Sequence, residues 1–325
     1  MSFNTRSPCR APRSWLVEAD LQVGHAACSP KSVALVLQLP VPRSTFTTEQ
    51  VRTYYDRNTR AFVRHGQGGD VGAIHRAVWG PGVRTRADAF RYIESLIVRE
   101  IDGSRQHILD LGCGVGASLI HLAADRDVRG TGVTLSPVQA RLGQQRVATL
   151  GLTDRVRIIE GDYTALPADL DTADLAYAIE SFVHGPSPER FFSEAARILR
   201  PGGTLMVCDD VRAADSTRAN RTIARFTHGW HVNSLLTPAE LRAAAAAAGF
   251  AHIATTDLTP YLELRRPRDR AIAALAALVG WMPAIAGDTR LSMRLAPLLG
   301  GSALQTALAN RWIEYHFAVF RRRPA

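Results

Sequence analysis

The stretch ILDLGCGVGAS at residues 108–118 sets an apolar run, an aspartate and three spaced glycines directly ahead of a helix-forming segment. Glycines let a ligand approach the backbone closely at the carboxyl end of a strand, and the N-terminus of the following helix favours negative charge. Gly112, Gly114 and Ala117 also satisfy the degenerate GxGxxG/A dinucleotide pattern, so the loop alone leaves two ligand classes open. The next strand separates them. A nicotinamide site calls for an acidic residue about twenty residues on, and there the chain reads GVTLSPVQ (132–139), with Thr134 where the acid would stand.

Working outward, seven short apolar runs alternate with helical stretches: HILDLG, VRGTGVTL, VRIIEGD, DLAYAIE, TLMVCDD, FAHIATTDL and YHFAVFRR. That alternation predicts a parallel α/β sheet with crossover helices. Upstream, TTEQVRTYYDRNTRAF (47–62) begins like a capped helix and RADAFRYIESLIVREI (86–101) repeats apolar residues at helical spacing. Residues 45–105 are thus expected to form a helical cap ahead of a domain over 106–325. Insertions at about 213–245 and 265–311 exceed simple connections and are expected to cover a site. Residues 1–44 mix Pro, Arg, Ser and Cys without a period and are expected to be a poorly ordered extension.

With 325 residues and 46% hydrophobic content the chain can bury a substantial core. The net charge of +9, carried by Arg far more than Lys, suits phosphate, diphosphate or nucleic acid. Basic residues are nevertheless dispersed along the chain and no nucleic-acid recognition motif stands out, so no nucleic-acid partner is expected. Cys9, Cys28, Cys113 and Cys208 form neither a CxxC pair nor a disulfide framework, which points to a reducing cytoplasm. No secretory signal is read at the start. The apolar run AIAALAALVGWMPAIAG (271–287) is interrupted by Gly280 and Pro283 and is short for a bilayer span, so a buried or lipid-facing cap helix is expected and no stable membrane span. The sequence leaves the oligomeric state open, a homo-oligomer included.

Together with EGDYTALP (160–167), AIESFVH (178–184) and RILRPGGTLMV (197–207), the glycine loop and GVTLSPVQ resemble, in order, the class I S-adenosylmethionine-dependent methyltransferases. The resemblance covers residues 106–212 strongly. It implies a Rossmann-like seven-stranded sheet with helices on both faces. It also implies that Asp110, Gly112, Gly114 and Gly116 hold the methionine part of S-adenosylmethionine. Thr134, Leu135 and Gln139 would flank the ribose, and Asp162 with Tyr163 would cap the adenine. The GVTLSPxQ form is similar to that of sterol, tocopherol and cyclopropane-lipid methyltransferases.

Glu180 then stands at the end of the fourth strand, near the reacting atoms. Methylating an alkene creates a carbocation that must be stabilised and deprotonated, and a carboxylate serves both needs. His184 is a candidate proton relay. Tyr54 and Tyr55 sit where isoprenoid and sterol C-methyltransferases begin an aromatic cap over the cofactor, and Trp79, Phe182, Phe226, Trp230 and Tyr315 are candidate cavity aromatics. The segment VRHGQGGDVGAIHRAVWGPGVRTR (63–86) offers Arg64, His65, His75, Arg76, Arg84 and Arg86 beside glycine N–H groups, a set suited to an oxyanion. A diphosphate there would bring Mg2+ as its counter-ion. HGWH (228–231) lacks the further ligands a transition metal needs.

These features resemble the prenyl diphosphate C-methyltransferases that act on geranyl or farnesyl diphosphate. The resemblance implies methylation of an alkene carbon through Glu180, with cyclisation as one fate of the cation. Three alternatives stay open: another small lipophilic acceptor such as a sterol, quinone or aromatic natural product, an RNA-modifying enzyme, or a noncatalytic cofactor-binding subunit.

Overall fold

The described residues of the computed structural model are 46–65, 72, 74–101, 103, 106–213, 219–280 and 289–324. The expected N-terminal extension and the glycines Gly66, Gly68 and Gly69 lie outside them. Ahead of the sheet come α1 (Thr48–His65), α2 (Arg86–Phe90) and α3 (Tyr92–Val98). Thr47 and Gln50 start α1 reciprocally, each side chain accepting the other's backbone N–H. The second expected helix is broken at Arg91, whose φ/ψ of −101/3° leaves the helical region between α2 and α3.

All seven expected strands form: β1 (Gln106–Leu111), β2 (Val128–Thr134), β3 (Val156–Glu160), β4 (Ala173–Ile179), β5 (Leu199–Arg212), β6 (Phe250–Asp257) and β7 (Ile313–Arg322). They make one sheet in the order β3-β2-β1-β4-β5-β7-β6. β1 to β5 run parallel, but β7 is antiparallel to both β5 and β6, so the all-parallel expectation fails at this edge. The cause lies in what precedes β7. Its chain arrives from a helix packed over the carboxyl ends of the strands, so β7 starts opposite the end of β5, with Ile313 beside Arg212, and runs back down.

Residues alternate between two cores across the sheet. Leu109, Leu111, Ala176, Ala178, Leu205 and Val207 face one side, where α6 (Pro188–Ile198) brings Phe191 and Phe192. Ile108, Leu175, Tyr177, Met206 and Cys208 face the other, against Leu119 and Leu122 of α4 (Ala117–Asp125) and Val147 of α5 (Pro137–Thr149). Burial on both faces explains why these strands read as near-continuous apolar runs.

A third core lies over the carboxyl ends. Ile223 and Phe226 of α7 (Asn220–Gly229) pack with Ala303, Leu304, Ala307 and Leu308 of α10 (Thr289–Ala309) onto Val183. Only the first half of the expected 213–245 cover belongs to it, because α8 (Pro238–Ala247) buries Leu241 and Ala245 in the sheet core. α9 (Pro267–Gly280) precedes α10 in the second insertion. Among the described residues no helix is long and apolar enough to cross a membrane.

α7 and α10 approach at glycines. A Cβ on Gly229 would lie 2.4 Å from the Ala296 carbonyl oxygen and 2.8 Å from the Gly300 Cα, both backbone atoms with little room to move. Gly229→Ala should therefore destabilise the protein by about 1–3 kcal/mol in denaturant unfolding. An unchanged midpoint would contradict this helix contact.

Candidate functional site

The ends of β1 and β4 are neighbours in the sheet although the chain leaves them in opposite directions, which is the place where open α/β sheets bind ligands. The two loops there are stitched together. Gly112 has φ 97°, and a Cβ on it would lie 2.4 Å from the Ser181 Cβ, so glycine is required for both conformation and space. The Ser181 hydroxyl donates to the Leu111 carbonyl at 2.6 Å, and the Tyr163 hydroxyl donates to the Ser181 carbonyl at 2.7 Å. Three strand ends thereby fix one short turn.

That turn carries Glu180 in a left-handed conformation, φ 48°, with its N–H donating to the Cys208 carbonyl at 2.9 Å. A non-glycine residue held there is strained and needs such support. Its Oε1 accepts three hydrogen bonds at 2.9 Å, from the Arg76 backbone N–H, the Arg76 Nε–H and the Tyr315 hydroxyl. Oε2 accepts none from any described residue, and Glu180 lines a cavity of about 570 Å³. Cavities of about 300–1,000 Å³ are usual for small-molecule sites.

Arg76 is not available to a diphosphate. Its two terminal nitrogens donate to both oxygens of Asp210 at 2.9 Å, its Nε–H goes to Glu180, and its guanidinium lies 4.2 Å over the Tyr315 ring. It is the only Arg or Lys among the described residues lining the cavity. Arg86 pairs with Glu263 elsewhere, and the side chains of Arg64 and His65 lie outside the described residues. His75 does line the cavity, with its Nε2 3.7 Å from the buried Glu94 and 3.5 Å from the Ser118 hydroxyl. The expected oxyanion site is therefore corrected for Arg76.

Carboxylates dominate instead: Asp110, Glu180, Asp209 and Asp210 all line the cavity. Burial pushes Asp110 up to about 7. Burial also raises Asp210, and raises Asp209 well above the usual range with the help of the neighbouring Asp210 charge. For Glu180 burial acts upward too, but Arg76 and His75 outweigh it and hold the carboxyl below its ordinary value. The balance suits a positively charged guest.

His184 is held differently. Its Nδ1 lies 3.1 Å from the His231 carbonyl, which can only accept, so Nδ1 carries the proton and Nε2 accepts from the Tyr55 hydroxyl at 2.7 Å. Burial pushes its pKa down to about 4, so the ring is neutral at pH 7. The cap helix reaches the site through Tyr54 and Tyr55, and it is anchored where the Ser136 hydroxyl donates to Asp56. Ser136 also caps α5, while the Thr134 hydroxyl donates to Gln139 Oε1 at 2.7 Å.

Of the other expected site residues, Gly114, Leu135, Tyr163 and Trp230 reach the cavity lining, and so does Phe226. Five do not. Phe182 packs with Phe191 and Phe192 in the sheet core, because the turn after β4 aims it beneath the sheet edge. Trp79 joins Ala77, Ala89 and Phe90 in a small cluster under α2. Tyr315 is fully buried and meets the site only through Glu180 and Arg76. Asp162 turns its Oδ1 onto the N–H and hydroxyl of Thr164, a local turn, and Gly116 packs against Ile158. Asp209, Asp210, Asn58 and Ser118 were not anticipated. The signal for the first two was CDD at a parallel strand's carboxyl end, where ligands bind.

The residues fit S-adenosylmethionine: a glycine cradle, a buried acid at its floor and an excess of carboxylates for a cationic cofactor. For a metal, the only suitable grouping among the described residues is Asp257, Glu314 and His316 on β6 and β7. Arg311 already pairs with both carboxylates there.

Residues 108–203 match the methyltransferase domain family. The sterol 4-C-methyltransferase strm-1 of Caenorhabditis elegans is 32% identical over 163 residues, which are 49% of this chain and about half, 48%, of that protein. The O-methyltransferase rstn1 of Aspergillus nomiae is 32% identical over 220 residues, covering 65% of this chain and 93% of that protein. In fold, the geranyl diphosphate C-methyltransferase of Streptomyces coelicolor A3(2) superposes with a TM-score of 0.62 at 17% identity, over 86% of this chain and 99% of that one. With the glycine loop, the sheet order and the cavity in place, the chain belongs to the S-adenosylmethionine-dependent methyltransferases.

Proposed function

We propose that the protein methylates an alkene carbon of an uncharged lipophilic acceptor of the sterol or terpenoid class. One observation carries this reading: Glu180, held below its ordinary pKa by Arg76 and His75, presents to the cavity a carboxyl with one oxygen held and the other accepting from no described residue, and the described lining holds no cation beyond those two. Phe226, Trp230, Val232, Pro297 and Leu304 supply an apolar wall for the acceptor.

Asp110 and the Gly112 to Val115 part of the loop would hold the methionine part of the cofactor, and Thr134, Leu135 and Gln139 the ribose. Tyr163 would border the adenine and Tyr54 would close over the top. The cofactor supplies an electrophilic methyl group on a sulfonium. The alkene π pair forms the new carbon–methyl bond as the carbon–sulfur bond breaks toward sulfur, leaving a cation on the adjacent carbon. Glu180 Oε2 stabilises that cation and takes a proton from a carbon beside it, which restores an alkene. A proton next to a carbocation is acidic enough for a weak base, so the low pKa of Glu180 keeps it ionised without costing it the reaction. His184, neutral and already accepting from Tyr55, positions that tyrosine against the acceptor; it is not the relay.

A prenyl diphosphate is the second reading, supported by the basic, glycine-rich segment RHGQGGDVG (64–72) and by the substrate of the Streptomyces coelicolor relative. Mg2+ belongs to that reading alone, as the counter-ion of the diphosphate. An oxygen acceptor, as the name of the Aspergillus relative states for that protein, would leave Glu180 without a role.

Methyl transfer from labelled S-adenosylmethionine to a sterol with a side-chain alkene, a free prenyl alcohol, a phenol and the prenyl diphosphates decides among these. Products from an uncharged alkene support the first reading; products from diphosphates only, dependent on Mg2+, replace it with the second. Glu180→Gln should lower turnover by about 10²–10⁴-fold while S-adenosylhomocysteine binding stays within about threefold; undiminished turnover removes its proposed role. Asp110 must be ionised to hold the cofactor ammonium, yet its pKa in the free protein is about 7. Below that pH the cofactor has to displace a proton, so its affinity should fall by up to about tenfold per pH unit. Above it affinity should level off. Calorimetry checks this, and a wild-type profile as flat as that of Asp110→Asn would contradict it.

A further inference from the structure

Arg76 makes an unusual set of contacts for a loop residue. It bridges two carboxylates, Glu180 and Asp210, with four hydrogen bonds when its own backbone N–H is included, and it is stacked against Tyr315. Asp210 and Tyr315 are paired across β5 and β7, so the clamp is built on the sheet rather than on the loop that delivers the arginine. Burying three charges together is costly, and replacing such a group by apolar residues often leaves stability unchanged or improved. Stability is therefore a weak reason for the triad.

Building on the proposed role of Glu180, we propose that Arg76 is a positioning residue that fixes which oxygen of Glu180 faces the reacting carbon. By dividing its charge between Glu180 and Asp210 it also sets how much negative charge that oxygen presents. Two N–H groups of one residue converge on Oε1, and the Tyr315 hydroxyl completes the set. The carboxylate is thereby split into a saturated oxygen and an open one. Without Asp210 the guanidinium would neutralise Glu180 more fully; without Arg76 two buried carboxylates would face each other and Glu180 would protonate more readily.

The groups facing Glu180 come from every element around it: Tyr55 from α1, His75 and Arg76 from the segment before α2, His184 from its own turn, Cys208, Asp209 and Asp210 from β5, and Tyr315 from β7. Changing Arg76 or Asp210 leaves the others in place. The affinity ratio of S-adenosylmethionine to S-adenosylhomocysteine isolates Glu180 on this account, because both ligands carry the ammonium that meets Asp110 and only the first is cationic at sulfur.

The test is that ratio, measured by calorimetry on the full chain from about pH 3.5 to pH 8 in wild type, Arg76→Gln, Arg76→Lys and Asp210→Asn. In Arg76→Gln the preference for the sulfonium should be lost at a pH about one to three units higher than in wild type. Arg76→Lys should recover part of that shift, and Asp210→Asn should shift the loss the opposite way or out of the range. Loss of a merely structural contact has no reason to give shifts of opposite sign. Coincident profiles for Arg76→Gln and wild type would overturn the inference, provided Glu180→Gln changes the ratio. If Glu180→Gln leaves the ratio unchanged, the reading of Glu180 itself fails instead. Both arginine variants retain Asp110 and the glycine loop, so S-adenosylhomocysteine binding confirms that they are folded.

Discussion

The close approach of Gly112 and Ser181 is the constraint on which the site depends. It brings the loop after β1 against the loop after β4 with no side chain between them, and the Ser181 hydroxyl locks that contact to the Leu111 carbonyl. Glu180 is consequently held in a backbone conformation that few residues other than glycine adopt, at the level of the glycine loop. Moving either loop would detach the carboxylate from the cradle beside it. The sheet order supplies the rest, because only with β4 next to β1 do these two loops meet.

Around that contact the electrostatics run against the charge of the whole chain. The protein carries +9, yet among the described residues its cavity is lined by five acids (Asp110, Glu180, Asp209, Asp210 and Asp269) and one arginine, and that arginine is shared by two of the acids. A basic surface and an acidic interior are compatible because exposed charges are screened over about 8–10 Å, whereas buried ones are screened much less. The interior is thus suited to a sulfonium and to a cation forming on an acceptor. Net charge pointed toward phosphate; the local arrangement points toward cationic chemistry.

Much of this was legible in the sequence where the information is local. The glycine loop, the seven strands and the capped start of α1 are each written within a dozen residues, and Glu180 follows from its place after the fourth strand. Contacts between distant segments were not legible. Arg76 lies 104 residues from Glu180 and 134 from Asp210, so nothing in RHGQGGDVG or its surroundings shows that the guanidinium is already engaged. Phe182 and Tyr315 went astray for a related reason: an aromatic near a strand end can face the core or the cavity, and a one-residue change in the turn decides which. The antiparallel β7 depends on where α10 releases the chain, which is set by the cap core rather than by any pattern in YHFAVFRR.

Carbon methylation assisted by a carboxylate is the central claim, and the atom that receives the methyl group tests it most directly. The product formed with isotopically labelled S-adenosylmethionine, from whichever acceptor turns over, can be examined by NMR for the position of the label. The label is expected on a carbon, with the alkene retained or shifted by one position after proton loss. A label on oxygen or nitrogen would contradict it and leave the Glu180 clamp without a catalytic purpose.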